Sequence, residues 1–494
     1  ARIGRASGTL ASMRTWPHRR LASITAIVVT SALAGTAAIA QPSPADPAIG
    51  PGTAPAKPGA LAKLPKIAPS PGPGQQVPRS PARAVADEDL SPKALDDAID
   101  RGLAEILKLQ VGQGAYEQSE WPYEGVYRVA GKIPVGYRIG GTAITARALL
   151  EAPGYDTDEA RKAAVARATR FICAAMNDPL MSIDNYDAGY DVRGWGYTYG
   201  LWFLVALDRA KAIPADQADA VREATAFCLR GITQTQVPMG TPGRPRTAPN
   251  SAPNAQPATT PAQRAGWNYA RPAGRDTPGA PSSFMTAATL IALHEARAAG
   301  HNVDQGMIDR ALSFLERTSP ALPADIGPET PRPPRTVVYS GVARPNTPLD
   351  GGRSDGLPGA TGRMCVVAVA QKLWKAGHDD DLRHAVDSFI THWDELDKRR
   401  QGTGTHVPPY GVAPYYFMFA HYYAAAAVEL LPEPERASRR DRITRLLMSV
   451  RAPDGTWNDR VFARSGAYGT AMALLALRHG QIATRGAPNS PMQP

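Results

Sequence analysis

The chain has 494 residues, of which 43% are hydrophobic and 20% charged, a length that allows about three domains at roughly 100–200 residues each. The 45 glycines and 47 prolines are too many for one compact fold, so part of the chain is linker. Three cysteines exclude a disulfide scaffold or a Cys-rich zinc protein, and a mean hydropathy of −0.28 with one long apolar stretch excludes a polytopic membrane protein.

The net charge of +10 sits mostly in residues 1–86, where ten Lys and Arg face the single acid Asp46. The remainder is nearly neutral, so no basic face points to nucleic acid. Met13 reads as a start, followed by Arg14, Arg19 and Arg20, then an apolar run over 21–40 ending Ala38-Ile39-Ala40. A basic region, an apolar core and small residues before the break describe a secretory signal over 1–40, which engages the export machinery. An uncleaved anchor through 21–40 is the competing reading. Either way the body is expected outside the cytoplasm, in the periplasm or beyond. Residues 41–86 hold twelve prolines; they bury too little apolar surface to offset chain entropy and read as a disordered linker.

From 87 to 482 a two-helix unit recurs six times. The first helix of each unit is amphipathic. Over 92–109, Leu95, Ile99, Leu103, Ile106 and Leu107 make one stripe. Similar helices start near Asp158, Ala215, Asp304, Asp380 and Ala437. The second helix is apolar almost all round, starting near Gly141, Tyr199, Ser283, Gly362, Pro414 and Tyr468. A helix apolar on every side is surrounded by protein. Six striped helices alternating with six buried ones predict an all-α fold, a closed (α/α)6 toroid with an inner apolar ring and an outer amphipathic one. An open superhelix is the rival. Long loops are expected over 237–264 and 319–360, and a disordered tail over 483–494. Cys173, Cys228 and Cys365 lie in apolar helical runs and read as small buried hydrophobes.

Gly194-Trp195-Gly196-Tyr197, Gly266-Trp267-Asn268-Tyr269 and Asp454-Gly455-Thr456-Trp457-Asn458 recur ahead of inner helices, with Glu120-Trp121-Pro122-Tyr123 as a looser copy. This Gly-Trp pattern resembles the prenyltransferase and squalene-oxidase repeat of terpenoid-cyclase-like toroids. The resemblance covers about 390 residues and implies the fold more than any one activity. The motifs of its enzymes are missing. The nearest string to a cyclase Asp-x-Asp-Asp acid is His378-Asp379-Asp380-Asp381, at a helix start where acids serve the dipole. Cys365 opens an inner helix but has Arg363 where a zinc-binding acid is expected. The complement thioester string Gly-Cys-Gly-Glu-Gln is absent.

An aromatic and acidic set remains. Asp184, Asp187 and Asp191, at i, i+3 and i+7, are candidate acid–base groups or oxygen ligands for Ca²⁺, with His421 a further catalytic candidate. Trp121, Tyr123, Tyr137, Arg138, Tyr190, Arg193, Trp195, Tyr197, Trp267, Tyr269, Tyr410 and Tyr415 are candidate ligand-binding residues, because aromatic faces stack on sugars or enclose hydrocarbons and arginines meet acids. For each, packing of the loop layer is the plainer alternative. The first functional reading is an exported toroid that recognises a ligand or acts as a scaffold, with an apolar small molecule or a polysaccharide as partner and no cofactor. The second is a polysaccharide-lyase type of enzyme, because some pectate lyases use this toroid and Glu120-Trp121-Pro122-Tyr123 is similar to one of their loops; it would bring Ca²⁺ with it. The third is a divergent squalene or terpene cyclase.

Overall fold

A computed structural model describes residues 82–112, 119–123, 132–183, 192–238, 264–268, 281–322, 332–339, 356–401, 416–458 and 465–485. The chain divides into two units, 1–62 and 63–494, and every described residue lies in the second. The outer helices are α1 (Pro92–Lys108), α3 (Glu159–Ala175), α5 (Ala218–Thr235), α7 (Gln305–Arg317), α9 (Asp379–Thr391) and α12 (Arg436–Ser449). The inner helices are α2 (Val135–Glu151), α4 (Arg193–Arg209), α6 (Ser283–Ala298), α8 (Leu357–Leu373), α11 (Tyr416–Glu429) and α13 (Gly466–Arg485), with a short α10 (Trp393–Gln401) after α9.

Each inner helix packs on the next, and α13 packs back on α2, so the ring is closed. Each outer helix leans on the inner helix before it; α1, which has none, packs on α13. The protein is an (α/α)6 toroid. The seam between first and last units is held on the outside by polar contacts. Arg101 Nη2 donates to the Pro453 carbonyl at 2.9 Å and Arg445 Nη1 to the Val85 carbonyl at 2.9 Å, while Arg445 Nη2 pairs with Asp87 at 2.9 Å.

The two rings differ as their sequences require. In α1 only Ala98, Ile99, Gly102, Leu103 and Ile106 are buried, one face of the helix, whereas in α2 every residue from Val135 to Leu150 except Arg138 is buried. Three outer helices, α1, α3 and α7, start on side-chain caps: Ser91 accepts from the Ala94 N–H, Asp158 from the Arg161 N–H and Asp304 from the Met307 N–H, satisfying otherwise orphaned donors. Four inner helices, α2, α4, α8 and α13, begin earlier than the apolar runs suggest, α6 begins at Ser283 as expected, and α11 begins at Tyr416, two residues later. Gly194–Tyr197, expected ahead of the helix, forms the first turn of α4, and Tyr137 and Arg138 lie in the first turn of α2. Within 236–282, β1 (Val237–Pro238) pairs antiparallel with β2 (Arg264–Gly266).

Because the helices alternate, all connections from outer to inner helix fall on one rim: 109–134, 176–192, 236–282, 318–356, 402–415 and 450–465. Those from inner to outer helix fall on the other and are short: 152–158, 210–217, 299–304, 374–378 and 430–435. No described helix is long and apolar enough to cross a membrane.

Candidate functional site at the long-loop rim

Three of the four repeated tryptophans are joints between the rings. Trp121, Trp267 and Trp457 each donate an indole N–H to a carbonyl in the last turn of the preceding outer helix: Ile106 at 2.8 Å, Ile232 at 2.7 Å and Leu447 at 2.9 Å. Each also donates its backbone N–H to a threonine hydroxyl on the next inner helix: Thr142, Thr286 and Thr470, at 3.0, 2.9 and 3.0 Å. The glycine before two of these threonines lets the loop lie close; a Cβ at Gly141 would meet the Trp121 carbonyl oxygen at 2.6 Å, and one at Gly469 the Trp457 oxygen at 2.5 Å. All three tryptophans are buried.

Between α2, α4 and α13 the rim has an aromatic floor. Tyr123 packs edge-on against Tyr137 (5.3 Å between ring centres) and Tyr468 (4.8 Å), and Trp195 lies 4.6 Å from Tyr199. Trp195 fits because α2 has a glycine opposite: a Cβ on Gly140 would fall 2.2 Å from the indole. The Tyr197 hydroxyl donates to the Met181 carbonyl at 2.5 Å. Arg138 is held in a bidentate pair by Glu120, at 2.8 and 2.7 Å, with Glu120 almost fully buried and Arg138 partly exposed. Arg193 is buried and donates to the Ser182 carbonyl. Thus Trp121, Tyr123, Tyr137, Arg138, Arg193, Trp195 and Tyr197 gather on one side of the rim, and Trp267 sits in its own repeat. Asp184, Asp187, Tyr190, Asp191, Tyr269, Tyr410 and Tyr415 lie outside the described residues.

His421 is elsewhere, inside α11. Its Nε2 accepts from the Trp393 indole N–H at 2.9 Å and its Nδ1 meets the Phe417 carbonyl at 2.7 Å, which places the ring proton on Nδ1. Burial lowers its pKa to about 4. Both ring nitrogens are therefore engaged, and the ring is neutral at ordinary pH.

Below the floor the axis is filled. Trp202 on α4 and Tyr422 on α11, diametrically opposite helices, approach to 5.8 Å between rings. Tyr199, Trp202, Tyr422 and Tyr423 are all buried, at most 2% exposed. Beneath them lies an ion network that sequence reasoning missed. Arg147, fully buried on α2, pairs with Glu151 at 2.9 Å and with Glu295 of α6 at 2.9 Å, and stacks 3.7 Å over the Trp202 ring. The Trp202 indole N–H also donates to Glu295, at 2.8 Å. Arg209 approaches Glu295 and Glu151 at 3.3 and 3.5 Å, and Arg478 of α13 pairs with Glu151. Burial works against the Arg147 charge, but Glu151 and Glu295 outweigh it and raise the arginine's pKa. Burial likewise raises the Glu151 pKa, and Arg147, Arg478 and Arg209 together bring it below the usual value. Both groups stay charged. The available signal was a lone Arg in an apolar helix and a Glu in another, since buried charges need partners.

No protein-family model matches the chain, and no curated protein matches it by sequence. Among solved structures it is similar to a mutant of an unsaturated glucuronyl hydrolase from Streptococcus agalactiae, at 11% identity and a TM-score of 0.41, covering 82% of this chain and 98% of the other. It is also similar to an inactive variant of an α-1,6-mannanase of Salegentibacter sp. in complex with α-1,6-mannotetrose, at 11% identity and a TM-score of 0.43, covering 78% of this chain and 99% of the other.

Proposed function

We propose that the protein is a carbohydrate-active enzyme of polysaccharide-lyase type that works outside the cytoplasm and binds an acidic polysaccharide across its long-loop rim. The observation that carries this reading is the contact of Trp202 with Tyr422 across the axis. An axis closed by opposite helices offers no hollow for a triterpene or prenyl chain at that depth, so a ligand lies over the rim, as an extended polymer does. The aromatic floor is itself buried and gives the rim a packed, rigid base. The six parallel inner helices direct their N-termini to this rim, and α2, α4, α6 and α8 start without a side-chain cap. That field favours anions, hence uronate carboxylates.

A lyase takes the proton next to the uronate carboxylate and breaks the bond to the neighbouring sugar oxygen, so it needs a base and charge neutralisation. Asp184, Asp187 and Asp191 are the base candidates of this reading, and Tyr190, Tyr269, Tyr410 and Tyr415 its further contacts. One observation favours recognition without turnover: Glu120 already balances Arg138, and the Ser182 carbonyl already holds Arg193. A panel of uronate-containing and neutral polysaccharides separates the two. Absorbance of an unsaturated uronide, formed by the wild type with or without added Ca²⁺ and lost in Asp187→Ala at unchanged melting temperature, supports the lyase. Binding without any product leaves recognition, and neither binding nor product on any polysaccharide ends both readings.

A further inference from the structure

Helix α10 stands outside the alternation of the two rings. It has 9 residues and, apart from Trp393 and Leu396, is polar throughout. A helix that short has little stability of its own and depends on what it packs against, here α8, α9 and α11. Its buried side chains are Trp393, Leu396, Asp397 and Arg400. Asp397 and Arg400 pair with each other at 2.6 Å, and Arg400 lies 5.2 Å from the centre of the Phe417 ring. Trp393 ties the start of α10 to α11: its indole N–H donates to His421 Nε2 at 2.9 Å.

That bond needs His421 to carry a single proton. Nδ1–H is taken by the Phe417 carbonyl at 2.7 Å, and Nε2 accepts because it is bare. A second proton has only Nε2 to occupy, where it sets two N–H donors face to face. The resulting cation is buried between Phe389 and Phe417, whose ring centres lie 5.0 and 4.6 Å away, and the like charge of Arg400 opposes it. Among the described residues no carboxylate acts on the ring to offset this. On α9, Asp379, Asp380, Asp381 and Asp387 pair with Lys372, Arg383, Arg332 and Arg439, and burial disfavours the charged forms of His384 and His392. On α8, Arg363 is bonded to the Val337 carbonyl. Helices α12 and α13 meet α11 at other residues, Arg440 at Glu429 and His479 at Tyr422.

We propose that Trp393 and His421 form an acid-sensitive latch: protonation of His421 Nε2 releases α10 while the two rings stay closed. With Trp393 withdrawn and water admitted, the ring regains the ordinary histidine pKa near 6.5, against about 4 with the latch closed. The open form therefore binds the proton more tightly, and opening is favoured as pH falls. The opening constant is flat above about pH 6.5 and rises nearly tenfold per unit below it, about 100-fold by pH 4.5. The latch stands apart from the polysaccharide reading, which it neither needs nor supports.

Hydrogen–deuterium exchange of the full chain from pH 7.5 to 4.5, corrected for the intrinsic pH dependence of amide exchange, reads the latch. Protection in 393–401 should fall about 100-fold between pH 6.5 and 4.5. It should lie below that of α5 and α7 at every pH and be insensitive to low urea, as local opening is. His421→Gln places an amide oxygen where Nε2 accepts and does not titrate, so protection in 393–401 should then stay constant with pH. Trp393→Phe removes the donor and should leave 393–401 poorly protected already at pH 7.5, with circular dichroism reporting that the rings are intact. Constant protection in the wild type overturns the proposal, as does the same fall in His421→Gln or full protection in Trp393→Phe. Exchange of 393–401 at the level of α5 and α7, moving with urea, overturns it as well, because that is unfolding of the whole chain.

Discussion

The two rims of the toroid are built from opposite kinds of chain. On the short-loop rim, turns such as 210–217 and 374–378 join the helices directly, and the centre is closed by Arg147, Glu151, Glu295, Arg209 and Arg478. Cations there also face the C-terminal ends of six parallel helices, where positive charge is favoured. On the long-loop rim the connections run up to 236–282 and 318–356, and a buried aromatic floor lies on one side, between α2, α4 and α13. One end holds the ring together and leaves little room for variation. The other carries the long connections, and long connections on a fixed scaffold are where recognition and chemistry are placed.

That contrast is open to attack from either side. The largest effect is expected at the ion network. Arg147→Met leaves Glu295 and Glu151 short of a buried partner and should cost about 3–5 kcal/mol in denaturant unfolding, whereas Arg147→Met with Glu295→Met should recover much of it. Equal losses in the single and double variants would mean that the network is not a coupled unit. Acid should come next. His421 and His479 both have their pKa lowered to about 4, chiefly by burial. The unfolded chain takes up these protons near the ordinary histidine value while the folded chain does not. Stability is therefore complete above about pH 6.5 and falls towards pH 4, by up to about 3 kcal/mol per ring. Thermal melts across that range check it, and His421→Gln should flatten the slope.

A joint tryptophan tests the other rim. Trp267→Phe keeps the ring volume close but removes the bond to Ile232, for about 1–3 kcal/mol; no loss by urea titration would show that the joint is packing alone. The smallest effect has the opposite sign. Lys375 closes α8 with a φ of 58°, a left-handed conformation that glycine adopts without strain, so Lys375→Gly should stabilise by about 1 kcal/mol.

The ring architecture was legible because the two helix types differ in their apolar pattern, striped in 92–108 and continuous in 135–150. The starts of α2 and α4 were not. Gly194 and Gly196 read as turn residues ahead of a helix, yet both lie in the first turn of α4, which Gly136 of α2 lets come close: a Cβ on Gly136 would lie 2.2 Å from the Val192 carbonyl oxygen. The tryptophan pattern marked three joints, at Trp121, Trp267 and Trp457, where the indole bonds an outer helix end and the backbone N–H the following inner helix; Trp195, in the same pattern, lies inside α4 and makes no such bond. The ion network escaped notice because Arg147 and Glu295 are 148 positions apart and nothing local pairs them.

Hydrogen–deuterium exchange with the oligosaccharide that the polysaccharide panel selects tests the central assignment most directly. Bound oligosaccharide should slow exchange in 119–123, 132–140 and 192–199, and leave the turns 152–158, 210–217 and 374–378 unchanged. Slowing on those turns, or no slowing anywhere with any oligosaccharide, would contradict a binding face on the long-loop rim.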